Sequence, residues 1–271
     1  MKVFGIISDE RAFRSKSPVM HNYVFKKTAF EAVYVPFCVQ EVHIEKAING
    51  IKALQIHGVN VTVPYKQSVM PYLDSLSDEV LAIGAVNTIL SKDNKLYGYN
   101  TDASGLMDVF QRDHIEIKNC VALVFGTGGA SRAVLYALFK SGAKAVYIAG
   151  RNIQKTKKLA DEMSAHALLI NDVNFRDIKP DIIINATSVS SPDESNELAD
   201  FIDNMPVYNV SQVIDINYGR QVNIWKNMAS RMNSQFMDGR SMLASQAARS
   251  YYIWTGNQVD VDLYMARLLE N

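Results

Sequence analysis

Much that would assign a protein quickly is scarce in this chain. Two cysteines, Cys38 and Cys120, lie far apart in 271 residues, without metal-ligand spacing, so buried reduced thiols are the ordinary expectation. None of the five histidines pairs at the i, i+3 or i, i+4 spacing that would set two ligands on one helix face, and no metal is expected. Net charge is also missing: 28 basic residues balance 28 acidic ones, so the broad positive field that gathers nucleic acid or an anionic membrane is excluded as a basis for binding. There is no repeat, no low-complexity tract and no apolar run of membrane-spanning length. The opening Met1–Glu10 turns polar after a few apolar residues, too short a stretch for a secretory core, and the expected compartment is the cytoplasm.

What is present is the make-up of a packed globular protein, 48% hydrophobic and 21% charged, with length enough for two ordinary α/β domains. The charge of any anionic ligand must then be met locally. Short β-branched runs alternate with longer helical patterns, which predicts an α/β fold with mainly parallel strands. Val3–Ile7 reads as a strand, and Pro18–Lys27 as a helix opened by Ser17 with proline in its first turn. Tyr34–Cys38 reads as a strand, Glu41–Leu54 as a helix and Gly58–Val63 as a strand. A helical segment is expected over Val69–Leu81, then a hairpin from Ala85–Ser91 through Lys92-Asp93-Asn94 to Lys95–Tyr99. After residue 102 the pattern restarts. Val121–Phe125 runs into Gly126-Thr127-Gly128-Gly129-Ala130-Ser131, a helix from about Ser131 stops at Gly142, and strands follow at Ala145–Ala149, Ala167–Ile170, Ile182–Asn185 and Val213–Ile216. This is a dinucleotide-binding series. Ser241–Asn271, with Tyr251, Tyr252 and Trp254, reads as a helix that packs back onto the first domain. The expected domains are 1–102 with 240–271, and 103–239.

Glycine-rich loops cradle phosphate because glycine lets backbone N–H groups come close, with a helix N-terminus behind them. Gly126 and Gly128 match the first two glycines of G-x-G-x-x-G, and Ser131 holds the third place. Such a cluster alone is as often a plain turn; the flanking strand and helix favour a nucleotide. Where an NAD enzyme carries an acidic residue about twenty positions further on, this chain has Gly150-Arg151-Asn152, with Lys155 one turn later. Two cations at a helix start oppose the helix dipole, so an anion between them, the 2′-phosphate of NADP, explains them better than simple solvation.

Four more strings fall at strand ends or in loops, where α/β folds bind ligands. They are Ser15-Lys16-Ser17-Pro18, Asn60-Val61-Thr62-Val63-Pro64-Tyr65-Lys66, Gly84-Ala85-Val86-Asn87-Thr88 and Gly98-Tyr99-Asn100-Thr101-Asp102. Each has a plain reading by itself. Ser17 suits a helix cap, Asn60 and Thr62 suit loop bonding from one strand face, Lys66 suits the surface, and Asp102 suits the cap of a helix beginning near Ala103.

Together and in this order, with Asn185-Ala186-Thr187-Ser188, Gly239-Arg240-Ser241-Met242-Leu243 and Gln246-Ala247, they resemble the shikimate dehydrogenase family over nearly the whole chain. The resemblance implies a substrate domain, a Rossmann-type NADP domain, and reversible reduction of 3-dehydroshikimate to shikimate in aromatic amino acid biosynthesis. It implies that Ser15 and Ser17 bond the substrate carboxylate, with Tyr218 near it. Asn60, Thr62, Asn87 and Gln246 would bond ring hydroxyls, and Lys66 and Asp102 would flank the reacting oxygen. It adds Thr187 and Gly239 to the cofactor set of Gly126, Thr127, Gly128, Gly129, Ala130, Ser131, Arg151, Asn152 and Lys155. An ammonium beside the ketone oxygen stabilises the charge that develops there and can deliver the proton; Lys66 is taken as the donor, held by Asp102. The partner expected is a small molecule, with no nucleic acid or membrane, and the protein a monomer or homodimer.

The sequence departs from the family pattern at Arg14, usually histidine, at Gly150 and Asn152, which flank the expected arginine, at Ser190-Ser191, usually glycine-methionine, at Gly219, usually proline, and at Asn223-Ile224-Trp225. These leave Lys66 and Asp102 in place but keep open a quinate or related acid, NAD in place of NADP, or a weakly catalytic binding homologue.

Overall fold

A computed structural model describes residues 1–169 and 178–270. In chain order the elements begin with β1 (Lys2–Ser8), α1 (Ser17–Lys27), β2 (Ala32–Cys38), α2 (Ile44–Ala53), β3 (Gly58–Val61) and β4 (Ser75–Leu76). Then come α3 (Asp78–Ile83), β5 (Thr88–Lys92), β6 (Lys95–Tyr99), α4 (Thr101–Arg112), β7 (Val121–Phe125), α5 (Gly129–Lys140) and β8 (Ala145–Gly150). The rest are α6 (Ile153–Met163), β9 (His166–Leu169), β10 (Ile182–Asn185), α7 (Asn196–Asp203), β11 (Gln212–Asp215), α8 (Ile224–Arg231), β12 (Gln235–Asp238), α9 (Arg240–Thr255) and α10 (Val261–Leu269). They divide into two compact units, Met1–Gly105 with Leu243–Asn271, and Leu106–Met242.

The first unit is built on a mixed six-stranded sheet in the order β2-β1-β3-β5-β6-β4. On one face Phe4, Phe25 and Tyr34 pack with Tyr251, Trp254 and Tyr264 of α9 and α10, so the closing segment does return to this sheet. Trp254 stacks on Phe4, with ring centroids 5.0 Å apart, and donates its indole N–H to Ile89 O at 3.0 Å. The other face packs Ile44, Ile48 and Ile51, one stripe of α2, against Val59 and Ile89. Each large side chain so buried stabilises the fold by about 1.5–3 kcal/mol.

Several expected elements differ here, each for a local reason. The helix expected over Val69–Leu81 is a 3-10 turn at Met70–Tyr72, then β4, then α3. Tertiary pairing overrides the helical period there: Asp74 Oδ2 takes the Leu96 N–H at 2.7 Å and β4 runs parallel to β6. Ser77 then caps α3 through the Val80 N–H. The hairpin strand begins at Thr88, not Ala85, and its turn is the two-residue Asp93-Asn94, with φ of 50° and 57°. Strand β3 ends at Val61, so Thr62 lies beyond it. Glu41–His43 is a 3-10 turn leading into α2. Ser17 is inside α1, not its cap; Ser15 Oγ accepts the Ser17 N–H at 3.1 Å. Asp102 is likewise not a cap, because Asn100 Oδ1 accepts the N–H groups of Asp102 and Ala103. The closing helix breaks at Gly256, with φ of 73°, into α9 and α10. Cys120 is buried, but Cys38, at the end of edge strand β2, is exposed.

The second unit holds six strands in the order β12-β11-β10-β7-β8-β9, all parallel. Renumbered within the unit and taken from β9, that is 3-2-1-4-5-6, the doubly wound dinucleotide-binding order, whose reversal lies between β7 and β10. Central strands such as Ile182–Asn185 are buried throughout, as in a sheet covered on both faces. Edge strand β12 was not expected; Gln235–Asp238 has two apolar residues and no run to mark it. The last residue of the strand expected over Ala167–Ile170 lies outside the described residues. No helix among the described residues is long and apolar enough to cross a membrane.

Candidate active site

In the first unit the loop after β3 and the start of α4 bring the expected catalytic pair, Lys66 and Asp102, together. Lys66 Nζ lies 2.5 Å from Asp102 Oδ2, with side chains 13% and 10% exposed, a burial at which charge is only weakly screened. The other Asp102 oxygen accepts from Asn87 Nδ2 at 2.9 Å. Asn87 is held by the loop it crosses, since its Oδ1 accepts the backbone N–H of Thr101 at 2.7 Å. A backbone N–H can only donate, so this contact sets which end of the amide faces Asp102.

Around this pair lies a buried polar cluster. Asn60, on β3, reaches Asn87 O, Thr88 Oγ1 and Ser250 Oγ with its Nδ2, at 3.0–3.1 Å. Gln246 donates its side-chain N–H to Leu243 O at 2.9 Å and lies 3.5 Å from the Thr101 hydroxyl. Ser15 is half-buried and Ser17 buried. Thr62 is half-buried beyond β3, its backbone N–H on Ile7 O. Tyr34, Thr88, Thr101 and Ser250 were not among the sequence candidates. Thr101 sits within the Asn100-Thr101-Asp102 string, but nothing in spacing marks Tyr34 or Ser250, which only the folded sheet and α9 bring to Asn60.

The glycine loop lies in the second unit, at the carboxyl end of β7, where the strand order reverses. Gly126, with φ of +118°, donates its N–H to Ala149 O at 2.9 Å. A Cβ there would stand 2.7 Å from Ala186 O, so the turn needs glycine. Ser131 Oγ accepts the Gly128 N–H at 3.3 Å, closing the loop onto α5. A Cβ on Gly128 would meet nothing within 4 Å. Open space over backbone N–H groups at the start of a 12-residue helix fits a dinucleotide pyrophosphate. Gly129 and Ala130 form the first turn of that helix, and Thr127 packs against Gly150.

Arg151 and Lys155 are both exposed at the start of α6, while Asn152 caps that helix by accepting the Lys155 N–H at 3.0 Å. Both cations thus stand open to an anion, and the cap uses only the Oδ1 of Asn152, not its Nδ2 donors. Gly239 is buried between β12 and α9, its N–H on Asn217 O at 2.9 Å. Among the described residues no group of His, Cys, Asp or Glu is arranged to hold a metal ion.

The departure at Ser190 finds local partners, and Gly219 stands at φ of +77°. Asp215, fully buried at the end of β11, accepts from Asn185, Asn217 and Asn223. Asn217 also donates to Thr187 O and to Ser190 Oγ, which gives Ser190 a hydroxyl role that glycine would lack. Burial pushes the Glu194 carboxyl up, but the N–H groups of Ser190 and Ser191 and the Arg220 guanidinium hold it below its ordinary value. Arg220 donates as well to Tyr218 O at 2.8 Å. Thr187 and Tyr218 thus sit on two loops tied to each other through Asp215, Glu194 and Arg220.

A parallel sheet in this order, a glycine loop at its reversal, and a buried lysine–carboxylate pair on a second α/β unit define a dinucleotide-dependent dehydrogenase. The family model for the shikimate dehydrogenase substrate binding domain matches residues 10–89, and that for shikimate / quinate 5-dehydrogenase matches residues 108–236. The shikimate dehydrogenase (NADP(+)) of Caldanaerobacter subterraneus is 38% identical, over 98% of this chain and 96% of its own. The shikimate dehydrogenase structure from Aquifex aeolicus superposes with a TM-score of 0.87 at 32% identity, covering 99% of this chain and 97% of that one. The Thermus thermophilus shikimate 5-dehydrogenase, in complex with NADP(H) and shikimate, gives 0.86 at 26% identity, covering 100% and 99%. The chain belongs to the shikimate dehydrogenase family.

Proposed function

We propose that this protein reversibly reduces 3-dehydroshikimate to shikimate with NADPH, serving aromatic amino acid biosynthesis in the cytoplasm as a monomer or homodimer. Residues 1–102 with 240–271 bind the substrate, and 103–239 bind the dinucleotide. The observation that carries the reading is the buried Lys66–Asp102 pair, 2.5 Å apart and braced by Asn87, in a chain of this family. NADPH, when bound, supplies the hydride. Lys66 stands at the ketone oxygen, stabilises the charge that grows there and delivers the proton. Asp102 fixes the lysine and accepts from the adjacent substrate hydroxyl. Ser15 and Ser17 bind the carboxylate, with Tyr218 near it. Asn60, Thr62, Asn87 and Gln246 bind ring hydroxyls and reject analogues that leave them unpaired.

On the cofactor side, the N–H groups of the 126–131 loop take the pyrophosphate, Arg151 and Lys155 take the 2′-phosphate, and Thr187 and Gly239 line the nicotinamide half. The test is oxidation of shikimate followed by nicotinamide absorbance, with NADP and NAD, and with quinate in parallel. Turnover fastest with shikimate and NADP is expected. No turnover with any pair would overturn the enzyme reading, quinate preference would move the substrate, and NAD preference would overturn the role of Arg151.

A further inference from the structure

The amide of Asn60 is oriented by groups that have no choice of role. Its Nδ2 lies 3.1 Å from the backbone carbonyl of Asn87, an obligate acceptor, and a flipped amide would set oxygen against oxygen there. Oδ1 therefore faces the Tyr34 hydroxyl, which donates to it at 2.8 Å. On the nitrogen side stands Ser250, one turn after Gln246 on α9. Its hydroxyl donates to Gln246 O at 3.0 Å, which leaves two lone pairs, one toward Asn60 Nδ2 at 3.0 Å and the other for one of the Thr88 and Thr101 hydroxyls, at 2.9 and 3.1 Å. Tyr34, Asn60, Thr88, Thr101 and Ser250 are all 5% exposed or less, and a buried amide cannot turn to water for a missing partner.

Donor and acceptor counting then leaves one opening. Both Asn60 N–H bonds are used among Asn87 O, Thr88 Oγ1 and Ser250 Oγ. One lone pair of Oδ1 is used by Tyr34, and the other is the remaining capacity of the side chain. We infer that Tyr34 and Ser250 are positioning residues that set substrate specificity, holding Asn60 so that it meets the ligand only as a hydrogen-bond acceptor. The ligand group opposite Asn60 must then be a hydroxyl that donates. The inference rests on the reading of Asn60 as a substrate residue.

Calorimetric binding of shikimate and of its three monodeoxy analogues to wild type, Tyr34→Phe and Ser250→Ala tests it. Tyr34→Phe keeps the ring, which stacks on His21 at 4.5 Å. Each variant is expected to bind shikimate about tenfold more weakly, with KM rising more than kcat falls. One analogue, lacking the hydroxyl that faces Asn60, should bind wild type and variants alike. Equal losses for shikimate and every analogue, unchanged affinities, or failure of both variants to fold would each overturn the proposal. Wild-type protein that neither binds nor oxidises shikimate would instead overturn the functional reading on which it rests.

Discussion

Asp102 stands between a cation and an amide: Lys66 Nζ is 2.5 Å from one carboxylate oxygen and Asn87 Nδ2 is 2.9 Å from the other. The amide end is fixed by the Thr101 backbone N–H, so the carboxylate cannot swing without breaking a bond on either side. A lysine held in this way keeps one position for its ammonium, and preorganised charge acts on a transition state without reorganisation.

Lys66→Ala should therefore lower kcat by about 10²–10⁴-fold, the range for a positioned acid or base, and change the KM for shikimate far less. The charge that Lys66 meets exists only in the transition state. Steady-state kinetics of shikimate oxidation checks this, and a loss confined to KM would remove Lys66 from the chemistry. Asn87→Ala should lower kcat as well, because it frees one side of Asp102.

Arg151→Ala should raise the KM for NADP by roughly tenfold or more, the scale of a lost charge-assisted hydrogen bond, and leave the KM for NAD nearly unchanged. Arg151 and Lys155 are exposed at the start of α6, and the proposed 2′-phosphate selectivity lies with these two cations. Comparable losses with both dinucleotides would place Arg151 elsewhere than at the 2′-phosphate.

The second unit was the more legible in sequence. Its central strands are apolar runs such as Ile182-Ile183-Ile184, which edge strand β12 lacks, and its loop carries glycines whose need is steric, as at Gly126. The pair Lys66 and Asp102 was readable only from ordered strings, because 36 positions separate them and no periodicity links a loop lysine to a helix-start aspartate. Tyr34 and Ser250 were not readable at all. Ser250 is 190 positions from Asn60, and it is one of three serines in α9. The false helix over Val69–Leu81 failed for the same kind of reason: β4 is two residues long and exists because β6 is there to pair with it.

Gly126→Ala and Gly128→Ala should separate fold from ligand in the glycine loop. At Gly126 the backbone has φ of +118° and a Cβ would meet Ala186 O at 2.7 Å, a cost of order 1–3 kcal/mol and a melting temperature lower by several degrees. At Gly128 a Cβ meets nothing within 4 Å, so that variant should melt like wild type and yet bind NADP more weakly, since its methyl group enters the space proposed for pyrophosphate. Thermal melts with and without NADP check both, and a Gly128→Ala protein with wild-type NADP affinity would move the cofactor off this loop.

His21 should make stability fall as the solution becomes acidic. Burial lowers its pKa from 6.5 to about 3. The ring is stacked on Tyr34, its Nδ1 lies 3.0 Å from the Tyr264 hydroxyl, and its Nε2 has no hydrogen-bond partner among the described residues. Below pH 6.5 the unfolded chain takes up a proton that the folded ring refuses until about pH 3. Stability is therefore complete above the unfolded value and is lost below it, at up to about 1.4 kcal/mol per pH unit for this one proton. His57, also shifted down by burial, adds to the same slope. Urea unfolding of wild type and His21→Asn from pH 7.5 to 4.5 isolates the first contribution, because asparagine does not titrate. The variant will be less stable at neutral pH, but its decline between pH 6.5 and 4.5 should be shallower by close to one proton. Parallel declines in the two proteins would mean that the folded ring accepts its proton near the ordinary pH.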